Sequence, residues 1–150
     1  MPTNNLDSVR DWALGQFALG GGTIHGVSHW ETVRRHGEKL AEQTPGADIL
    51  VVQLFAYLHD CRRLNESKDP FHGKRAADTA EKIRGTLIHL EDEQFSLLVH
   101  ACRDHTDGHT TENPTIGCCW DADRLDLTRV EIRPRRRYLS TEAACKIVRR

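Results

Sequence analysis

Apolar residues recur at helical spacing near the start of the chain. Val9, Ala13 and Phe17 lie four positions apart, which is the spacing of one helix face. We therefore predict an amphipathic helix over residues 7–19, with Asp7 as its N-cap and a glycine triplet after its end.

The same reasoning predicts further helices over residues 27–43, 47–59, 71–84, 91–104 and 118–130, and a last helix that begins at Ser140. The segment 47–59 is apolar on nearly all sides, which predicts a central helix. Its β-branched residues would also permit a strand, but the run is long for one. The pattern predicts an all-α fold in which residues 1–150 form a single compact helical bundle of about six to seven helices.

Composition and charge narrow the setting of this domain. With 38% hydrophobic residues, 29% charged residues and a formal net charge of −1, the chain gives no overall argument for a nucleic-acid or membrane partner. Its five cysteines are odd in number and form no C-x-x-C pair, which favours a reducing cytoplasm. The first ten residues lack the basic and apolar regions of a signal peptide, and the apolar run 49–58 is too short to span a bilayer. We expect a cytoplasmic protein.

Histidines and aspartates are the residues that suggest chemistry. Six of the nine histidines fall near the ends of apolar segments: His25, His29, His59, His72, His100 and His105. The adjacent His59 and Asp60 follow the central helix directly, and could be a capped helix end, a hydrogen-bonded core pair or two ligands of one metal. Asp121, Asp123 and Asp126 lie among apolar residues, where burying carboxylates is costly unless a cation compensates them.

Three segments together carry a family resemblance. The order H…HD…D in "HGVSHWETV" (25–33), "LHDCRR" (58–63) and "DADRL" (121–125) resembles the HD-domain superfamily of metal-dependent phosphohydrolases. These are all-helical proteins that act mostly on nucleotides and other phosphate esters. The resemblance spans about residues 25–127 and implies an HD-domain-like bundle with its motif-bearing core in that range.

The resemblance implies four metal ligands, which are His29, His59, Asp60 and Asp123. His29 is preferred to His25 because the family's ligand precedes a helical valine, and Asp123 matches the A-D-R-L motif. His25 then lies at the mouth of the site or serves as a cap. The implied cofactor is one divalent transition metal (Mn, Fe, Co, Ni or Zn), since imidazole and carboxylate donors suit these ions.

The resemblance also suggests further roles around the metal. Asp60 could accept a proton from the attacking water, with Asp104 as an alternative base. The expected substrate-binding residues are Arg63, His72, Lys74 and His105. In the two-metal branch of the superfamily, histidines in these regions bind a second metal, but this chain lacks the tandem His-His and the Gly-Tyr-Pro signature of that branch. One metal is therefore favoured over two, and His100 is assigned to the core or to a hydrogen bond within the bundle.

The implied function is metal-dependent hydrolysis of a nucleotide or other small phosphate ester. Two alternatives stay open: a di-iron oxygenase of the same fold, and a non-catalytic metal-binding module with a regulatory or scaffolding role. The loops "RRLNESKDPFHG" and "HTDGHTTENPTIG" are expected to set substrate choice.

The segment 129–150 is rich in arginine, above all at 133–137. This run could attract a polyphosphate, an RNA backbone or an acidic partner, although a solvated surface is the favoured interpretation. Tyr138 is its only aromatic residue, so a stacking platform for single-stranded nucleic acid is missing.

Overall fold

Helices account for all the regular secondary structure that the described residues form. A computed structural model describes residues 3–148. It contains α1 (Leu6–Gln16), α2 (Val27–Glu42), α3 (Ile49–Leu58), α4 (His72–Ile83), α5 (Asp92–Asp104), α6 (Pro114–Leu125) and α7 (Glu142–Ile147), with 3₁₀ turns at Asp126–Val130 and Arg136–Tyr138. The predicted all-α bundle is confirmed. Arg149 and Arg150 of the basic segment lie outside the described residues. Among residues 3–148, none of the helices combines the length and the apolar character needed to span a membrane.

Helix α3 is the centre of the bundle. The Asp48 side chain caps it by accepting hydrogen bonds from the backbone N–H groups of Leu50 and Val51. Every residue from 54 to 58 is fully buried, because α1, α2, α5 and α6 all pack around this helix. The residues that follow α3 therefore emerge in the interior, and the imidazole of His59 is completely buried. An apolar helix thus delivers a polar pair to the middle of the protein.

The starts of α1 and α6 differ from the prediction in the residues that cap them. Asn5 rather than Asp7 caps α1, since its side chain accepts the backbone N–H of Ser8. Helix α6 begins at Pro114, where Asn113 is the N-cap and proline occupies the first turn. The sequence predicts a loop over "HTDGHTTENPTIG", whereas its Asn-Pro pair starts a helix.

The C-terminal segment is fixed to α6 through one buried carboxylate. Asp121 accepts hydrogen bonds from the backbone N–H groups of Ser140 and Thr141, at 2.8 and 2.7 Å, and from the Thr141 hydroxyl at 2.8 Å. That hydroxyl also accepts the Ala144 N–H and so caps α7, one residue later than predicted. Asp121 is therefore a structural residue.

Helices α4 and α5 approach each other closely because Gly73 has no side chain. A Cβ atom at this position would lie 2.6 Å from the carbonyl oxygen of Arg103 and 2.7 Å from that of Cys102. The close packing brings the start of α4 against the end of α5. As a result, His72 lies beside His105.

Candidate metal centre

Four side chains from three parts of the chain converge in the interior: His29 of α2, His59 and Asp60 after α3, and Asp123 of α6. The Nε2 atom of His29 lies 3.1 Å from that of His59, 3.0 Å from Asp123 Oδ1 and 3.3 Å from Asp60 Oδ2. His59 Nε2 lies 3.3 Å from each of the same two carboxylate oxygens. The structure thus brings together all four residues that the family resemblance implied as ligands.

The far side of each imidazole is held by a hydrogen-bond acceptor. His29 Nδ1 lies 2.7 Å from Asp126 Oδ2, and His59 Nδ1 lies 3.1 Å from the carbonyl oxygens of Phe55 and Ala56. An acceptor on one ring nitrogen fixes the tautomer, so that the other nitrogen presents a lone pair to the centre. The orienting role of Asp126 was missed from the sequence. The sequence feature that could have indicated this role is its position three residues after Asp123, which places both carboxylates near the same helix end.

The carboxylates of the cluster stabilise positive charge on the groups around them. Burial lowers the pKa of His29, but hydrogen bonds with Asp123, Asp126 and Asp60 outweigh it and raise the pKa to about 10. Burial likewise lowers the pKa of His59, and the charges of Asp60 and Asp123 raise it to about 9. Burial raises the pKa of both Asp60 and Asp123, yet the neighbouring histidines, His59 foremost, hold both well below the ordinary value. The two carboxylates thus favour positive charge on their partners, and a mixed imidazole–carboxylate donor set fits a divalent transition metal.

A second group of donors shares Asp60 with the first. Asp60 Oδ1 lies 3.1 Å from His72 Nε2 and 3.4 Å from His105 Nε2, and these two nitrogens are 2.9 Å apart. The opposite ring nitrogens are held by the carbonyl oxygens of Asp69 and Cys102, at 2.6 and 2.7 Å. The two oxygens of Asp60 therefore face different groups. These residues could hold a second metal ion, although the sequence favoured one metal with His72 and His105 as phosphate contacts.

A small cavity of about 120 Å³ opens onto both groups. Three arginines line it together with Asp60 and Asp123: Arg63, Arg124 and Arg129. Arg63 is buried, with Nη1 3.2 Å from the ring nitrogens of His72 and with Nη2 donating to the Ser67 carbonyl at 2.6 Å. Guanidinium groups around a metal cluster suit the oxygens of a phosphate.

His25 and Arg62 occupy different positions relative to this cavity. His25 lines it and pairs with the exposed Glu66 at 3.0 Å, so it lies at the mouth, one of the two positions expected for it. Arg62 instead donates to the Thr79 hydroxyl on α4 at 3.2 Å and is absent from the cavity wall.

The structure does not bring Lys74 or Asp104 to the cavity. Lys74 follows His72 by two residues, about 200° around the helix, and its exposed ammonium pairs with Asp78 at 3.2 Å. Asp104 precedes His105 by one residue and instead pairs with Arg103 and with His100, at 3.2 and 3.1 Å. The substrate-binding role expected for Lys74 and the catalytic role expected for Asp104 therefore have no support in the geometry. His100 is partly exposed and lies 3.1 Å from Asp104 on the same helix, so neither the core position nor the hydrogen bond within the bundle that was expected for it is supported.

Comparison with known proteins supports the fold. No protein-family model and no curated protein matches the chain. Among solved structures, a predicted HD superfamily hydrolase from an uncultured Thermotogales bacterium is similar with a TM-score of 0.74 and 22% sequence identity, over 97% of this chain and 83% of that one. The chain therefore has the HD-domain fold, as the three sequence motifs indicated.

Removing Asp126, whose carboxylate holds the His29 ring, is expected to weaken metal binding while all four proposed ligands stay in place. In Asp126→Ala, the His29 ring loses the acceptor that fixes its orientation, and we expect metal affinity to fall by about 10–100-fold. The affinity is measured by competition with a chelating dye. Asp78→Ala, which removes an exposed carboxylate on α4, is the matched control and should bind as the wild type does. Equal affinities for all three proteins would contradict the orienting role of Asp126.

Proposed function

We propose that the protein is a metal-dependent phosphohydrolase that acts on a nucleotide or another small phosphate ester through a metal-activated water. The observation that carries this proposal is the buried cluster of two histidines and two aspartates beneath a small cavity with three arginines. The HD-domain fold supports the same reaction class.

Each residue of the cluster has a proposed role. His29, His59, Asp60 and Asp123 would hold the metal, which when bound lowers the pKa of a water molecule and orients it towards phosphorus. Asp60 would hold the metal through Oδ2, while its Oδ1 faces His72 and His105 and is the proposed acceptor of a proton from the attacking nucleophile. The arginines of the cavity, Arg63 in particular, bind phosphoryl oxygens and offset the negative charge that develops there.

His72 and His105 have two alternative roles in this scheme. They either bind a second divalent metal with Asp60 or contact the phosphate and donate a proton to the leaving group. Their Nε2 atoms, 2.9 Å apart and both close to Asp60, are compatible with either role. The number of metal ions bound per chain separates the two.

The cysteines support a cytoplasmic location for this activity. All five are free thiols, and four of them are buried. Unpaired cysteines are typical of compartments kept reducing.

The proposed activity is tested by phosphate release from the metal-loaded protein. Separate preparations are loaded with manganese, iron, cobalt, nickel or zinc and assayed against nucleoside mono-, di- and triphosphates and simple aryl phosphates. We expect release with at least one metal, loss of release after chelation, and recovery when that metal is restored. A filled metal site without release from any ester would contradict the proposal and favour the non-catalytic module.

A di-iron oxygenase is the second candidate, favoured by the additional donor group at Asp60, His72 and His105. That chemistry needs two adjacent metals, and this group lies next to the first. Two iron ions per chain together with substrate-dependent oxygen consumption would identify the oxygenase. Phosphate release without oxygen consumption supports the hydrolase.

A further inference from the structure

The inner cavity, which opens onto the metal cluster (the side chains of His29, His59, Asp60 and Asp123), is too small for a whole substrate. Its volume of about 120 Å³ lies well below the ~300–1,000 Å³ of pockets that enclose a small-molecule ligand. It can take a phosphoryl group, whose oxygens then meet the arginines. The rest of a phosphate ester must therefore lie outside this cavity.

An open surface cavity of about 570 Å³ lies next to it. The loop after α5 contributes to both, since Thr106 lines the inner cavity and Gly108 lines the outer one. Two residues along a chain span at most about 7 Å, so the two spaces are close neighbours. The outer cavity is open to solvent, so a group bound there would stay partly exposed.

Arg124 forms a connection between the two cavities. It lines the inner cavity, and its Nη1 atom donates to the carbonyl oxygens of His109 and Tyr138, at 2.7 and 2.6 Å, both of which are residues of the outer cavity. Its Nη2 atom is buried and has no hydrogen-bond partner among residues 3–148. Because Arg124 follows Asp123 directly, the loop and the C-terminal segment are fixed relative to the metal cluster.

The outer cavity carries positive charge. Arg137 lines it, with its guanidinium over the Tyr138 ring at 4.8 Å from the ring centre, and no carboxylate among residues 3–148 forms an ion pair with it. None of the lining residues is acidic, and the nearby Asp107 and Glu112 are exposed and lie outside the lining. An unpaired guanidinium beside an aromatic ring favours an anionic ligand.

We propose that the cavity lined by Gly108, His109, Thr110, Arg137 and Tyr138 is a second substrate subsite, which binds an anionic group on the non-reacting part of the substrate. This inference rests on the proposed function and narrows it. The substrate carries one phosphoryl group that reacts in the inner cavity and a second anionic group, such as another phosphate, that binds near Arg137. The arginine run at 133–137 then contributes to recognition through Arg137.

The subsite is tested by calorimetric binding of two probes to the metal-loaded protein. The probes are adenosine 5′-monophosphate, with one phosphate, and adenosine 3′,5′-bisphosphate, with two separated phosphates. We expect the wild type to bind the bisphosphate about 10-fold more tightly, because a second phosphate adds charge-assisted hydrogen bonds. In Arg137→Gln, we expect affinity for the bisphosphate to fall about 5–10-fold and affinity for the monophosphate to change less than 2-fold.

Arg136→Gln is the matched control. It removes the same charge one residue away, at an exposed position outside the cavity lining, and should change either affinity less than 2-fold at the same salt concentration. If both substitutions weaken bisphosphate binding equally, the effect comes from the overall positive charge of the arginine run, and the proposed subsite is wrong. Equal affinity of the wild type for both probes would overturn it as well.

Phosphate release is assayed on the same preparations, so the two proposals can fail separately. Bisphosphate binding that depends on Arg137, without hydrolysis of any ester, would support the subsite and contradict the hydrolase. Hydrolysis of an ester, with bisphosphate binding that does not depend on Arg137, would support the hydrolase and contradict the subsite.

Discussion

Replacing Asp60 by alanine is expected to abolish metal binding and to lower kcat/KM for phosphate release by at least ~10³-fold, since metal activation supplies several kcal/mol of transition-state stabilisation and each 1.36 kcal/mol is a factor of ten. Asp60 is the residue common to both donor groups. Its Oδ2 faces His29 and His59, and its Oδ1 faces His72 and His105. One substitution therefore removes a ligand from each group, together with the proposed proton acceptor.

The loss in Asp60→Ala is measured as metal content and as initial rates with the best substrate of the panel, on protein whose helical content matches the wild type. Asp104→Ala is the matched control. Asp104 belongs to the same region but pairs with Arg103 and His100 away from the cavity, so its removal should change kcat/KM less than about 3-fold, within the range of peripheral surface substitutions. An Asp104→Ala defect as large as that of Asp60→Ala would contradict the assignment of the proton acceptor.

Replacing Asp121 by alanine is expected to lower the free energy of unfolding by about 3–5 kcal/mol, because the buried N–H and hydroxyl of Thr141 and the partly buried N–H of Ser140 lose their acceptor. Burial raises the pKa of Asp121, and the hydrogen bonds from Ser140 and Thr141 only partly offset that increase. The buried carboxylate is therefore stabilised by the same hydrogen bonds that satisfy these donors. The effect is a large share of a typical stability of about 5–15 kcal/mol. Below its melting temperature, the variant should still bind metal.

Denaturant unfolding monitored by circular dichroism measures this change. Asp11→Ala, an exposed aspartate on α1, is the control and should alter stability by less than about 0.5 kcal/mol. A folded and stable Asp121→Ala protein that has lost its metal would reverse the assignments of Asp121 and Asp123.

The fold and the first donor group were largely accessible from the sequence. The apolar run before His59 predicts a buried helix, and such a helix must deliver the following His-Asp pair to the interior. The family motifs assigned His29 and Asp123 as ligands. They were preferred to His25, four residues before His29, and to Asp121, two residues before Asp123. The structure explains that choice, since Asp121 turns towards Ser140 while Asp123 faces the histidines.

The rest of the site depends on packing that the sequence does not display. The second donor group forms because Gly73 lets α4 approach the backbone of α5, and sequence spacing gives no measure of that distance. Lys74 and Asp104 looked suitable by residue type, but helix rotation turns them away from the cavity. The role of Asp126 depends on the exact direction of the His29 ring, which only the assembled bundle determines.

The metal-dependent function is tested by the number of metal ions bound per chain, determined by elemental analysis after exposure to manganese, iron, cobalt, nickel and zinc. We expect at least one tightly bound ion in the wild type and none in Asp123→Ala. We also expect one ion fewer in His105→Ala if the wild type binds two. A wild-type protein that binds none of these metals would mean that the buried histidines and aspartates are structural, and the proposed hydrolytic function would be wrong.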